Sequence, residues 1–474
     1  MMLDIIIENG TVITMANGKA NIMPNGSVGI KGNQIFCVDD SALIKKEHSA
    51  KHIVNATGKF IMPGFINVHS HTAGGIGKGI LSGLKYYLEQ GLAGYYDTQT
   101  IESNIASTKM HVLEAVKHGT TTFCDNNTNM SDVSFVLDEM GLRARVSEMI
   151  REMPWNYKSN LNEVYTFDRK YANEGIKNMN KLIETYGTDP RERISTMVGF
   201  QALDYVSEKL VKELIGIAIK RNAMIHTHMA QSTFEVFQCE KRYGMRPLAV
   251  FEKLGILNKN TLAAHLVYNN PEENKIAAKS GLNMAFCPNA FTRVGGLPPV
   301  AQYLNEGGFV GIGSDELSYN CGNPFVDLRS GLIRGNISAR FSTVPALTML
   351  QVFKMATIDA AHAIGLGDQV GSLEVGKKAD IVIFNPHVIN MMPVLIEPLS
   401  NVIQNLVLDA TGEEVETVIV DGKIIVDNKT LLTMDEEKIL KEVQSEGEKA
   451  ANGAYRYYKS LNHSEVLEIQ KDYH

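Results

Sequence analysis

The sequence predicts an α/β protein: a closed (β/α)8 barrel of the TIM type carrying a small β-sandwich built from both chain termini. Three observations predict it. Between Pro63 and Asp315, apolar runs ending in polar or titratable residues alternate with helix-period segments, the pattern of βα units around a parallel sheet. About eight such runs can be counted, the strand number of a closed barrel. Short β-rich runs separated by turns occupy the two ends of the chain instead.

The N-terminal runs are "DIIIENGTVITM", "GSVGIKGNQIFCVDD" and "HIVNATGKFIMPG", with Asn9-Gly10 and Lys31-Gly32-Asn33 reading as hairpin turns. The barrel strands follow as "FINVHSH", "TTFCD", "LRARVSEM", "RISTMVGFQAL", "AMIHTHMAQ", "NTLAAHL", "LNMAFCP" and "FVGIGSD". An open doubly wound sheet is the alternative, and the spread of polar residues over so many strand ends disfavours it. The antiparallel style returns in "ADIVIFN", "NLVLDAT" and "EVETVIVDGKIIVDNK", where Asp421-Gly422 is a hairpin signal. The expected division is residues 1–60 and 371–430 as a composite β-sandwich domain, 61–370 as the barrel, and 431–474 as a tail reading as a surface helix.

The chain has 474 residues, 44% hydrophobic and 21% charged, with a net charge of −7. No basic stripe points to nucleic acid and no polybasic run to an anionic membrane. No run approaches the ~18 uncharged apolar residues of a membrane span. The opening "MMLDIIIENG" carries Asp4 and no basic flank, so it reads as a strand and not a signal peptide. Five scattered cysteines without a C-x-x-C pair fit a reduced, cytoplasmic compartment.

Barrel enzymes build their sites at the C-terminal strand ends. His69 and His71 alternate by two, so both face the lumen. His226 and His228 repeat that spacing, His265 ends the next strand, and Asp315 ends the last. Taken singly, a strand histidine is a satisfied polar residue, as His111, His118, His362 and His387 are read. The coincidence over four strand ends is what points to a divalent metal with an open coordination position. Such a metal lowers the pKa of bound water toward ~7 and provides hydroxide at neutral pH, with Asp315 placed to take the proton. His226 lies about 6–7 Å deeper than His228 by strand rise and reads as a supporting residue. The glycine run 74–79, "GGIGKG", lacks the Walker spacing and reads as a loop beside the site.

"PGFINVHSH", "HTHMAQ", "AAHL", "GIGSD" and "MATIDAAHAIGLGDQVGSLEVGKKADIVIFN" together resemble the amidohydrolase superfamily, in its nucleobase-deaminase and triazine-hydrolase branch. The resemblance implies that His69, His71, His228 and Asp315 are metal ligands. It implies that Asp315 also shuttles the proton and that His265 polarises substrate or orients water. Lys78, in the place of an Arg-Gly pair, becomes a candidate substrate contact. Two-metal members carry a bridging lysine on the fourth strand; "ISTMVGFQAL" has none, which favours one metal per subunit, Zn²⁺ first with Fe²⁺ as the alternative.

Three positions depart from the family pattern. Gln231 replaces a glutamate that protonates a ring nitrogen, Gln201 replaces a histidine, and Phe291 stands where an asparagine is expected, although Asn289 is nearby. Glutamine has no dissociable proton near neutrality and can only orient through its amide. Glu235, four residues on, reads as a solvated helix position. The resemblance therefore implies a metal-dependent aminohydrolase of a small nitrogen-containing heterocycle. Gln231, with Gln201 and His265 as substrate contacts, keeps open a related hydrolysis (amide, amidine or halide displacement). An inactive metal-binding protein is the third reading. The expected partner is a small molecule, without nucleic acid or membrane; homo-oligomers are common in the branch and compatible with this chain.

Overall fold

The computed structural model describes residues 1–80, 96, 98–155, 163–290, 296–316, 322–340, 343–461 and 464–471. Phe291 and Cys321 lie outside the described residues.

Strands from both chain ends form one nine-stranded sheet. The N-terminal set is β1 (Met2–Ile13), β2 (Ile22–Lys31), β3 (Gln34–Asp40), β4 (Ser49–Asn55) and β5 (Phe60–Pro63). The strands following the barrel are named β15 (Ile381–Phe384), β16 (Val415–Val420), β17 (Lys423–Asp427) and β18 (Thr430–Leu431). The order is β18-β17-β16-β15-β5-β1-β2-β3, with β4 on β1. The seam between the ends is the antiparallel pair β5–β15, from Ile381 opposite Pro63 to Phe384 opposite Phe60. Ile7, Val12, Val28, Ile61, Ile381 and Ile383 form this sheet's own apolar core.

Two turn signals act as read. Gly32, at φ 59, closes the β2–β3 hairpin, and Asp421 and Gly422, at φ 50 and 76, close β16–β17. Asn9-Gly10 does not turn the chain. Asn9 takes φ 63 inside β1 and makes a bulge where the register with β2 shifts. A β-carbon on Gly10 would sit 2.6 Å from Ile61 Cδ1, so the missing side chain lets β1 run on past Ile61.

The barrel strands are β6 (Phe65–Ser70), β7 (Thr120–Asn127), β8 (Arg143–Glu148), β9 (Ile194–Thr196), β10 (Val198–Gly199), β11 (Ile225–Met229), β12 (Thr261–His265), β13 (Asn283–Phe286) and β14 (Val310–Ile312). All pair in parallel, as β6–β7–β8–β9 and β10–β11–β12–β13–β14. β9 and β10 are the two halves of "ISTMVG", so eight strand positions surround the lumen. The ring closes where Ser70 bridges Asp315 and where Ile150 bridges Phe200. Strands buried on both faces explain why runs such as "TTTFCDNN" lack alternation: every residue of β7 is buried.

The helix Ile358–Ala363 packs its small residues Ala360, Ala361 and Ala363 against Ile66, Val68 and Leu262 of the barrel. Buried Arg145 donates to the Ile364 carbonyl at 2.5 Å and caps this helix. The barrel is tied to the terminal sheet by Arg143, which is 1% exposed. It donates to Asp380 at 2.8 and 3.1 Å and to Asp421 at 2.8 Å. The tail is more than a surface helix. Helix Glu436–Ser460 buries Ile439, Ala450, Ala454 and Tyr458, and the last three pack with Ile76, Cys287 and Ala290 of the barrel's loops.

Candidate metal centre

Strand alternation and barrel closure bring five of the expected side chains together. β6 aims His69 and His71 inward. Asp315 joins them because β14 lies against β6: its N–H donates to the His69 carbonyl at 3.0 Å, and its carbonyl accepts the His71 N–H at 3.3 Å. Gly313 permits that approach, since a β-carbon there would lie 2.7 Å from the His69 carbonyl oxygen. β11 supplies His228 and β12 supplies His265. All five side chains are buried.

The donor atoms of His69, His71 and His228 lie within 4.8 Å of one another, and so do those of His69, His265 and Asp315. Asp315 Oδ1 is 3.3 Å from His71 Nε2 and 3.7 Å from His69 Nε2, and Oδ2 is 3.9 Å from His265 Nε2. His71 and His228 turn their Nε2 atoms toward each other at 3.2 Å. Their other nitrogens are engaged behind the site: His71 Nδ1 donates to the Asn126 carbonyl, and His228 Nδ1 to the Gln201 carbonyl at 2.6 Å. His69 Nδ1 meets His226 Nε2 at 2.8 Å, and His226 Nδ1 in turn meets Ser147 Oγ at 3.2 Å. His69 Nε2 is buried with no hydrogen-bond partner. Imidazoles fixed through one nitrogen, with the other facing a shared centre beside a carboxylate, are what a divalent cation requires. The residues present fit one.

The electrostatics agree. Burial, then the neighbouring imidazoles, holds His69 well below its ordinary pKa. Burial also lowers His228, to about 4, and His265 well below its usual value, so all three keep a lone pair at neutral pH. For His71 burial works against the cation, but the hydrogen bond and charge of Asp315 outweigh it and raise the pKa. Burial would raise Asp315, but its hydrogen bond to His71 and the surrounding imidazoles hold it well below the carboxylate range.

Non-glycine residues in the left-handed region cluster at these strand ends: Ala230 at φ 48, His265 at 85, Leu266 at 55 and Asp315 at 59. Each costs about 1–3 kcal/mol, strain that concentrates where a site must be held against local preference.

Gln201 and Gln231 are 5% and 4% exposed, and Gln231 Nε2 donates to Gln201 Oε1 at 3.5 Å. Lys78 is not among the residues brought together. Its side chain is 43% exposed and pairs at 2.9 Å with Glu114 of the helix Ile101–Lys117. Asn289 is spent on the fold, donating to Asp327 at 2.7 Å and accepting from Ser330 at 2.7 Å. Glu235 is fully buried, and not solvated. His226 backs His69, the supporting place its depth implied.

Several contributors carried no side-chain signal. The Asn126 and Gln201 carbonyls act through the backbone. Buried Asp125 accepts from the Thr72 N–H at 3.1 Å and the Thr72 hydroxyl at 2.5 Å, fixing the loop after His71. Glu316, 2% exposed, packs against Gly74, where a β-carbon would lie 2.8 Å from its Oε1. The adjacency Asp315-Glu316 was its only visible mark.

Residues 60–425 match the model of the Amidohydrolase family. The chain is 29% identical over 450 residues to a 5-methylthioadenosine/S-adenosylhomocysteine deaminase of Halothermothrix orenii, covering 93% of this chain and 98% of that protein. An adenosine deaminase of Xanthomonas campestris with bound zinc superposes with a TM-score of 0.85 at 23% identity, over 95% of this chain and 99% of that one. The zinc complex of an atrazine chlorohydrolase of Arthrobacter aurescens gives a TM-score of 0.81 at 21% identity, over 94% and 100%.

Proposed function

The chain belongs to the amidohydrolase family, and on that premise we propose that it is a mononuclear metal-dependent aminohydrolase that deaminates a small nitrogen-containing heterocycle. The observation that carries this reading is the convergence of four buried imidazoles and one carboxylate, with His69 Nε2 left without a hydrogen-bond partner. His69, His71, His228 and Asp315 would hold the cation, Zn²⁺ first and Fe²⁺ as the alternative. Bound there, it would supply the acidity that makes a water nucleophilic at neutral pH.

The chain's own groups do the rest. Asp315, kept ionised by His71 and its other imidazole neighbours, accepts the proton of the attacking water and passes it toward the leaving nitrogen. Neutral His265, whose Nε2 lies 3.9 Å from Asp315 Oδ2, orients the water or hydrogen-bonds the substrate. Gln201 and Gln231 offer amides to the substrate's own N–H and C=O groups. A second reading, hydrolysis of a bond whose leaving group needs no ring protonation, is favoured by this amide pair, which holds no dissociable proton. No helix among the described residues is long and apolar enough to cross a membrane, and a cytoplasmic enzyme of small molecules is the reading in keeping with the composition.

The test is metal analysis followed by an ammonia assay. The purified protein is expected to hold about one equivalent of metal, as one open four-ligand site would. The loaded protein is expected to release ammonia from at least one of adenosine, 5'-methylthioadenosine, S-adenosylhomocysteine, guanine or a triazine. No ammonia from any of them, with chloride released from atrazine, would replace the first reading by the second. Metal below about half an equivalent would overturn both in favour of an inactive protein.

A further inference from the structure

Helix Thr233–Tyr243 begins immediately after the β11 strand end that carries His228. Ser232 is its N-cap, and the Ser232 hydroxyl accepts the Glu235 N–H at 3.1 Å. Ser-x-x-Glu is the capping-box pattern, in which the carboxyl returns to the N-cap amide. Here the carboxyl reaches further back. Glu235 Oε2 accepts the N–H of Gln231 at 2.9 Å, and so holds the Ala230–Gln231 peptide. Ala230 stands at φ 48, a conformation that a β-carbon opposes by roughly 1–2 kcal/mol. On its other side the turn is tied to the loop after β12, where the Tyr268 N–H donates to the Ala230 carbonyl at 2.9 Å. The strained turn that presents Gln231 is therefore clamped from two directions, and Glu235 is one of the two clamps.

Glu235 is 0% exposed and its Oε1 has no hydrogen-bond partner. A cap alone does not require a carboxyl sealed from water. We propose that Glu235 is a positioning residue of this site: acting through the Ala230–Gln231 backbone, and set beside the buried carboxyl of Asp204, it fixes the direction in which the Gln231 amide meets the substrate. The proposal rests on reading Gln231 as a substrate contact.

The charges around Glu235 bear this out. Asp204 faces it from the loop after β10, and Cys239 comes from its own helix. Arg242 spends one Nη1 on the carbonyls of Leu203 and Asp204, at 3.4 and 3.3 Å. Burial first, then Asp204, pushes the Glu235 pKa well above the ordinary carboxyl value. A raised pKa means that folding favours the neutral acid, so its contribution is complete at low pH and is lost as the pH rises through the folded value. Two negative charges would then face each other behind the turn. A neutral acceptor at position 235 is therefore sufficient to hold Gln231.

The test compares Glu235→Ala with Glu235→Gln in the metal-loaded full chain. Kinetics are measured with whichever of the compounds above is turned over, and amide hydrogen exchange of the peptide covering residues 229–234 is measured in parallel. Glu235→Ala is expected to raise KM at least tenfold, change kcat less than threefold, leave metal content unchanged and speed exchange at Gln231 at least tenfold. Glu235→Gln, which keeps the acceptor and cannot ionise, is expected to restore KM and protection to within threefold and to flatten the alkaline limb of the KM profile. Unchanged KM in Glu235→Ala, or a Gln variant as impaired as the Ala variant, would overturn the proposal. If no compound is turned over, the proposed reaction fails separately. Hydrogen exchange then decides: protection retained in Glu235→Ala refutes the clamp, and protection lost in Ala but kept in Gln supports it.

Discussion

Gln231→Glu is the change that best separates the two reactions the site supports. If the protein deaminates a heterocycle without a strong acid at this position, restoring one is worth about 10²–10⁴ in rate, or ~3–5 kcal/mol. The structure offsets part of that gain. Gln231 Nε2 donates to Gln201 Oε1 at 3.5 Å, a bond a carboxyl keeps only by staying protonated or by turning the Gln201 amide over. Rearranging one such bond costs about 1 kcal/mol, so roughly 2–4 kcal/mol survives, or about 30- to 10³-fold in kcat. At 4% exposure the new carboxyl is desolvated, which favours the protonated form that a ring nitrogen needs. The assay is initial-rate ammonia release from the metal-loaded protein over the purine and triazine panel, with metal content measured in the same samples. A rise in kcat, or activity on compounds the wild type ignores, is the expected outcome. A tenfold or greater fall in kcat/KM at unchanged metal content would show that the site needs the amide at this position, and would refute the reasoning that an acid here assists the reaction. An unchanged rate would remove Gln231 from the chemistry altogether.

Three further outcomes follow from named contacts. Asp315→Asn keeps shape but removes the carboxylate that faces His71 at 3.3 Å and His265 at 3.9 Å; turnover should drop at least about 10²-fold with circular dichroism unchanged, and a wild-type rate would take Asp315 out of the proton path. Arg143→Ala strands the buried carboxylate of Asp380 at the barrel–sheet junction and should cost about 3–5 kcal/mol in denaturant unfolding, with a loss under ~1 kcal/mol counting against a structural role for the triad. His111 is held by burial to about 4, so as pH falls the unfolded chain takes up its proton first, and native stability present above about 6.5 is lost on the way to 4. Between pH 7 and 5 the wild type should therefore lose about 2 kcal/mol more than His111→Gln, and parallel losses in both would refute the assignment.

The barrel and the side chains of its centre were legible because both depend on pattern. Strand alternation places His69 with His71, and strand ends at regular intervals place His228, His265 and Asp315 on one rim. What could not be read is decided by partners remote in sequence. Lys78 is claimed by Glu114, thirty-six residues on, and Asn9-Gly10 is a bulge because β1 passes Ile61. Glu235 sits on a helix with a polar outer face, so nothing local distinguishes it from its solvated neighbours; the chain segment around Asp204 is packed close enough to bear on its ionisation. The carbonyls of Asn126 and Gln201, which orient His71 and His228, belong to a class of contact that any residue could make. Metal ligation is written in side-chain identity because only a few side chains can do it. Orientation runs through the backbone, where residue identity leaves almost no mark. The consequence is specific to this chain. Replacing Gln201 tests its amide and leaves its carbonyl in place, so a substitution there should alter substrate handling while His228 keeps its direction. Loss of metal in such a variant would show that the Gln201 side chain, and not its carbonyl, holds the turn.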